Sequence, residues 1–189
     1  AHFAAAVVGA HMNIHVAHIE GGEVSGTIDD SIRHATTKFA HIHFTSNIDA
    51  TNRIIKMGEN PKNVYTVGNP ALDNIKNIPQ INQKLLEKKY NLDLTKPFII
   101  LLQHTVTSEI NNQSNHIISI LDALKQIDIQ SVVIIGNADA GSKSIIKIIN
   151  NSKLNKFKTI PYVDFINLVK LSSGLVGNSS SGIIETPFL

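Results

Sequence analysis

The sequence predicts an α/β protein built on parallel sheets. Three observations point there. Short apolar runs alternate along the chain with stretches of helical periodicity. Loops rich in Gly, Ser and Asn follow several of those runs. With 189 residues, 42% hydrophobic and only 17% charged, the chain also has the apolar material for a packed core.

The elements follow in order. Residues 3–12 are Ala-rich and helical, and 14–19 read as a strand leading into the loop Glu20-Gly21-Gly22-Glu23-Val24-Ser25-Gly26-Thr27. A helix begins near Asp29, its acidic pair at the positive end of the dipole. Residues 41–45 form a strand, Ser46 caps a helix over 48–57, and Gly58 stops it. A short strand over 64–67 runs into Gly68-Asn69-Pro70. The texture then changes. Residues 71–97 are polar, rich in Asn and Lys, and carry Pro79 and Pro97; they read as an inter-domain connection with its own helix around 82–90. A second series follows: a buried strand over 98–102, then a helix over 113–126 with Ile117, Ile118, Leu121 and Leu124 on one face. After it come a strand over 132–135, a helix over 141–150, a strand over 157–160, a helix over 162–171 and a short strand at 175–176. The expected organisation is therefore a first domain over 1–70, a connection over 71–97 and a second domain over 98–189. No repeat of fixed period is present.

Composition excludes several functions. The formal net charge is +2, and Arg33 and Arg53 are the only arginines. No basic stripe with interleaved aromatics exists, so no nucleic-acid partner is expected. No apolar run reaches the ~18 residues of a membrane span. With no Cys, disulfides, thiolate metal sites and Cys nucleophiles are all excluded. A cytoplasmic enzyme or binding domain needing no cofactor fits best. Both ends, Ala1 running into an Ala-rich helix and the motif-rich stretch closing at Pro187-Phe188-Leu189, read as cuts through a larger fold.

In open parallel sheets, ligands sit beyond the carboxyl ends of the strands. Four polar segments, three of them Gly-containing, follow strands here: Glu20–Glu23, Gln103–Thr107, Gly136–Lys143 and Gly177–Glu185. The segment Gly177-Asn178-Ser179-Ser180-Ser181-Gly182 would present N–H groups and hydroxyls at a strand-to-helix turn, which suits a diphosphate. It would serve equally as a Ser-capped turn. Glu185, one turn on, could accept from ribose hydroxyls or act as an early-helix acid. His104 suits a general acid or a phosphate contact, or a structural hydrogen bond. Ser142 could touch a phosphate or cap the next helix. Glu20, Glu23, Asp29 and Asp30 form an acidic cluster whose members could divide acid from base work. Arg33 stands at helical spacing for an ion pair with Asp29 or Asp30. His41 and His43 fall on one strand face, and with His18 and Glu20 could in principle hold Zn²⁺. Their spacing is not a compact zinc pattern, so no metal is expected.

The run from His18 to His34, with Glu20-Gly21-Gly22-Glu23 and Asp29-Asp30-Ser31-Ile32-Arg33 inside it, closely resembles the hydrolysing UDP-N-acetylglucosamine 2-epimerases of sialic acid biosynthesis. Gln103-His104, Asn137-Ala138-Asp139-Ala140-Gly141-Ser142-Lys143 and Gly177-Asn178-Ser179-Ser180-Ser181-Gly182 match that family in the same order. The resemblance implies a glycosyltransferase-B-like fold, two Rossmann-like domains with parallel sheets, each incomplete in this chain. It implies conversion of UDP-N-acetylglucosamine and water to N-acetylmannosamine and UDP through a 2-acetamidoglucal, without a cofactor. By the same resemblance, Glu20 and Asp29 match the acid/base carboxylates, Arg33 the basic residue behind them, and His104 the His near the diphosphate. Ser179 and Ser180 match diphosphate contacts, with Ser142 and Gly182 in the same substrate-binding set. Glu185 matches the ribose-binding acid, Asn137 a uridine-side position, and His18, His41 and His43 supporting histidines. A UDP-sugar partner and a homo-oligomer are implied. Family chains are about twice as long, so the isolated chain is expected to be inactive. The neighbouring reading is the same chemistry on UDP-N,N'-diacetylbacillosamine. The rivals are a retaining glycosyltransferase, which needs an acceptor groove, and a non-catalytic nucleotide-sugar sensor, which leaves the bound sugar intact.

Overall fold

A computed structural model describes residues 2–26, 28–105, 112–136 and 142–189. Its contacts divide the chain into two units, Ala1–Asn74 and Ile75–Leu189.

In the first unit, α1 (His2–His11), β1 (Ala17–Ile19), α2 (Ile28–Phe39), β2 (Ile42–Thr45), α3 (Ile48–Lys56) and β3 (Val64–Thr66) follow one another. The three strands are parallel, in the order β1-β2-β3, with His18 opposite His43 and His43 opposite Val64. Fully buried Ala50 and Ile54 face α3 inward. Beside them the hydroxyls of Thr45, Thr51 and Thr66 bond in series at 2.5 and 2.6 Å, which satisfies polar groups that burial would otherwise strand. Two details differ from the sequence reading. The cap of α3 is Asn47, whose side-chain oxygen accepts from the Ala50 N–H at 2.8 Å; Ser46 points its hydroxyl elsewhere. β1 is shorter than expected because residues 13–16 complete the exit from α1: Asn13 is left-handed and the Ile14 N–H donates back to Gly9.

α4 (Pro70–Lys76) was not expected. Its start carries a local signal, Asn69 accepting from the Ala71 N–H just ahead of a first-turn proline. α5 (Gln83–Tyr90) lies where the connection's helix was predicted and buries Leu86 and Tyr90.

The second unit continues with β4 (Phe98–Gln103), α6 (Gln113–Ile127), β5 (Gln130–Ile135), α7 (Ser142–Asn151), β6 (Asn155–Phe157), α8 (Tyr162–Leu171) and β7 (Gly174–Gly177). Its strands are parallel, in the order β6-β5-β4-β7. Leu101 and Val133 pack with Ile117, Leu121 and Leu124 of α6 and Ile145 and Ile149 of α7. Ile100 and Val132 alternate to the opposite face and are also fully buried, as a sheet covered on both sides requires. Each such side chain contributes about 1.5–3 kcal/mol through burial. β6 lies earlier than the predicted 157–160: Val132 pairs with Asn155, and the chain leaves the sheet toward the Pro161 cap of α8.

Polar side chains fasten residues 79–93 into this unit. Asn167 donates to the Pro79 carbonyl and accepts from the Ile81 N–H, both at 3.0 Å. Gln130 bonds both backbone groups of Asp93. Buried Asp164 accepts from Lys89 and the Tyr90 hydroxyl, each at 2.5 Å. Burial alone would raise the Asp164 carboxyl; the Lys89 and Tyr90 bonds outweigh it and hold it below the usual range. The Tyr90 phenol is pushed up, by burial first and then by Asp164.

Candidate functional sites in the two units

In the second unit the chain winds outward from β4 through β5 and β6, then returns to place β7 on the other side of β4. At such a switch point, here between β4 and β7, the strand ends border a crevice where ligands sit. His104 follows β4 and Asn178 follows β7. The Asn178 side chain clamps the His104 backbone: its oxygen accepts from the N–H at 2.7 Å, and its nitrogen donates to the carbonyl at 3.0 Å. Glycine makes this approach feasible. Gly177 has φ +138°, and any Cβ there would overlap the Leu102 carbonyl. A Cβ on Gly136 would lie 2.9 Å from the His104 ring.

Beyond these strand ends lies a cleft of about 840 Å³, bordered by His104, Gly136, Ile160, Tyr162, Ser181 and Glu185 among others. Glu185 has a carboxylate oxygen that is buried and makes no hydrogen bond. An orphaned acceptor of this kind is costly unless a ligand completes it. The Tyr162 phenol is raised, by burial and then by the Glu185 charge. Ser179 is 9% exposed, and its hydroxyl accepts from the Ser181 N–H at 3.3 Å, capping the tight turn Ser180–Gly182. Ser180 is exposed. Ser142 is buried as the first residue of α7. Asn137 lies outside the described residues.

The first unit has its own cleft, about 1130 Å³, bordered by α1, β1 and the start of α2. His18, Glu20, Asp29 and Arg33 line it, together with His2 and His15. Glu20 is left-handed, with φ 59°, and its N–H donates to the Phe44 carbonyl at 2.8 Å. His18 is pushed down to about 4, chiefly by burial and then by the charges of His43 and Arg33, so it is neutral at pH 7. Thr37 donates to the Arg33 carbonyl and stands 3.2 Å from His18 Nδ1.

Asp30 and Glu23 are tied into the loop. Asp30 accepts from the Ser25 and Gly26 N–H groups and from Arg33 at 3.2 Å; the Ser25 N–H contributes most to holding its carboxyl below the usual range. Arg33 also donates to the Glu23 carbonyl at 2.9 Å. The Glu23 carboxylate accepts from Ser46 and Asn47. His41 and His43 do not share a strand face as expected. β2 begins at Ile42, leaving His41 exposed against the His15 ring and accepting from the Val16 N–H, while His43 is 1% exposed and 3.5 Å from Glu59. Among the described residues, no three His, Asp or Glu side chains are grouped to hold a metal. Sequence reasoning missed Asn178 as a clamp, Tyr162 as a cleft wall and Arg53, which donates to the Gly22 carbonyl. These depend on long-range contacts, and only the Gly-Asn step at 177–178 hinted at any of them.

The family described as UDP-N-acetylglucosamine 2-epimerase matches residues 1–189. A UDP-N,N'-diacetylbacillosamine 2-epimerase (hydrolyzing) of Legionella pneumophila is 33% identical over 186 residues, 96% of this chain and 49% of that protein. A UDP-N-acetylglucosamine 2-epimerase of Neisseria meningitidis is 35% identical over 187 residues, 97% of this chain and 49% of that protein. This chain thus spans about half the length of the curated relatives it matches. Among solved structures, the UDP-GlcNAc 2-epimerase of Neisseria meningitidis bound to UDP-GlcNAc superposes with a TM-score of 0.78 at 19% identity. The match covers 94% of this chain and 51% of that one. That likeness supports the glycosyltransferase-B-like α/β class expected from the sequence.

Proposed function

Because this chain belongs to the UDP-N-acetylglucosamine 2-epimerase family, we propose that it serves the hydrolysing epimerisation of a UDP-linked 2-acetamido sugar. The observation that carries the reading is the convergence of Glu20, Asp29 and Arg33 on one cleft beside a neutral His18. Glu20 and Asp29 divide the acid and base work. One removes the proton from carbon 2 as the bond from carbon 1 to the diphosphate oxygen breaks, and UDP leaves with that electron pair. The resulting 2-acetamidoglucal then takes hydroxide from water at carbon 1 and a proton at carbon 2 on the opposite face. The product is the free 2-epimer. Arg33 offsets negative charge that develops on the sugar.

The second unit grips the leaving group: His104 and the Ser179–Gly182 turn at the diphosphate, Glu185 at the ribose. The orphaned Glu185 oxygen supports the nucleotide assignment. Binding UDP tightly makes it a good leaving group without a metal. UDP-N-acetylglucosamine is the first candidate substrate. UDP-N,N'-diacetylbacillosamine is the second, favoured by the comparable identity to the Legionella protein. The protein acts in the cytoplasm as a homo-oligomer. The test is to replace Glu20 by Gln and Asp29 by Asn in a full-length protein carrying this chain, following UDP release and UDP binding separately. Turnover should vanish while UDP affinity stays within about threefold, since neither residue borders the second-unit cleft. Variants that lost UDP binding and turnover together would contradict this division of roles.

A further inference from the structure

We propose that Arg53 and Glu23 are positioning residues that hold the Glu20 loop in its working shape, Arg53 through the Gly22 carbonyl and Glu23 through the head of α3. The inference rests on the reading that Glu20 serves the reaction. Glu20 occupies the left-handed region, which is disfavoured for residues bearing a Cβ and persists where the surroundings over-determine it.

The surroundings that do so lie on one face of α3. Asn47, Ala50, Arg53 and Ile54 are spaced to share that face. Ile54 and the His18 ring leave no room for a side chain on Gly21. Gly22, at φ +82°, backs directly onto the Ala50 carbonyl. Arg53 donates to the Gly22 carbonyl, and the Glu23 carboxylate accepts from Ser46 and from Asn47, the residue that also caps the helix. The two residues after Gly21 are therefore gripped in succession by one rigid element. The chain's only two arginines both donate to carbonyls of this loop, Arg53 to Gly22 and Arg33 to Glu23. Neither Glu23 nor Arg53 borders the first-unit cleft, so they act through Glu20 and not on the substrate.

The experiment compares Arg53→Gln with Arg53→Lys and reads two quantities: amide exchange of the 20–26 peptide and the kinetics of UDP release. Arg53→Gln should speed loop exchange about tenfold while amides of β2 and α3 keep their protection. It should lower kcat about 100-fold with KM within about threefold, the cost of a misplaced catalytic group. Arg53→Lys and added guanidinium should each restore part of the rate. Unchanged loop exchange and kcat would overturn the proposal. So would exchange rising equally across β2 and α3, which would make Arg53 a support of the whole unit. A full-length protein carrying this chain that binds UDP-sugar without releasing UDP would refute the functional reading itself and remove the clasp's catalytic purpose.

Discussion

Replacing Glu185 by Met should have two effects of opposite sign. In the free protein, one Glu185 oxygen is buried without a hydrogen bond. A stranded acceptor costs about 1–3 kcal/mol, so its removal should stabilise the ligand-free protein and raise Tm by a few degrees. In the complex, a ribose hydroxyl would donate to that orphaned oxygen. Hydrogen bonds to a charged group contribute about 1.5–3 kcal/mol, so UDP should bind about 10- to 150-fold more weakly to the variant. Titration calorimetry with UDP and with 2′,3′-dideoxy-UDP separates this from general damage. The dideoxy analogue lacks the donors, so the substitution should scarcely change its affinity. If UDP affinity stays within twofold, or both nucleotides lose the same amount, Glu185 does not read the ribose.

Further consequences can be measured on the same protein. Asn178→Ala removes both bonds that fix the His104 backbone; UDP affinity should fall about 3- to 10-fold by calorimetry with the fold intact. His18 titrates at about 4 in the native chain and near 6.5 when unfolded, so the unfolded state binds more protons across that window. Stability is then fully present above pH 6.5 and lost as the pH falls toward 4, by about 1–2 kcal/mol after solvent screening. His43, depressed chiefly by burial, adds in the same direction, and His18→Asn should flatten the dependence of the urea midpoint on pH. Asp164→Ala strands the buried Tyr90 hydroxyl and releases Lys89, and should cost about 1–3 kcal/mol in urea unfolding.

Much of this architecture is legible in the sequence because it is local. The run Phe98–Leu102 and the helical spacing of Ile117, Leu121 and Leu124 announce a buried strand and its covering helix. The acidic loop before α2 places Glu20, Asp29 and Arg33 within one short segment, and the structure sets all three on one cleft. What escaped is non-local or competitive. The clamp between His104 and Asn178 spans 74 positions, and only the Gly-Asn step at 177–178 hints at it. Ser46 and Asn47 are both good caps; Asn47 caps the helix through its oxygen, while the Ser46 hydroxyl donates to Glu23. His41 and His43 alternate correctly for a strand, yet the strand starts one residue after His41. The connection over 71–97 reads as polar linker because Asn and Lys are usually solvated. Here its backbone groups meet partners more than 30 residues away, as when Asn167 bonds Pro79 and Gln130 bonds Asp93.

The most direct test of the chemistry is to incubate a full-length protein carrying this chain with UDP-N-acetylglucosamine, and separately with UDP-N,N'-diacetylbacillosamine, in D2O and to examine the released sugar by NMR. Proton abstraction and return at carbon 2 predict one deuteron there, with inverted configuration and one UDP per sugar. A released sugar that keeps its original hydrogen and configuration at carbon 2 would show plain hydrolysis and contradict the role given to Glu20 and Asp29.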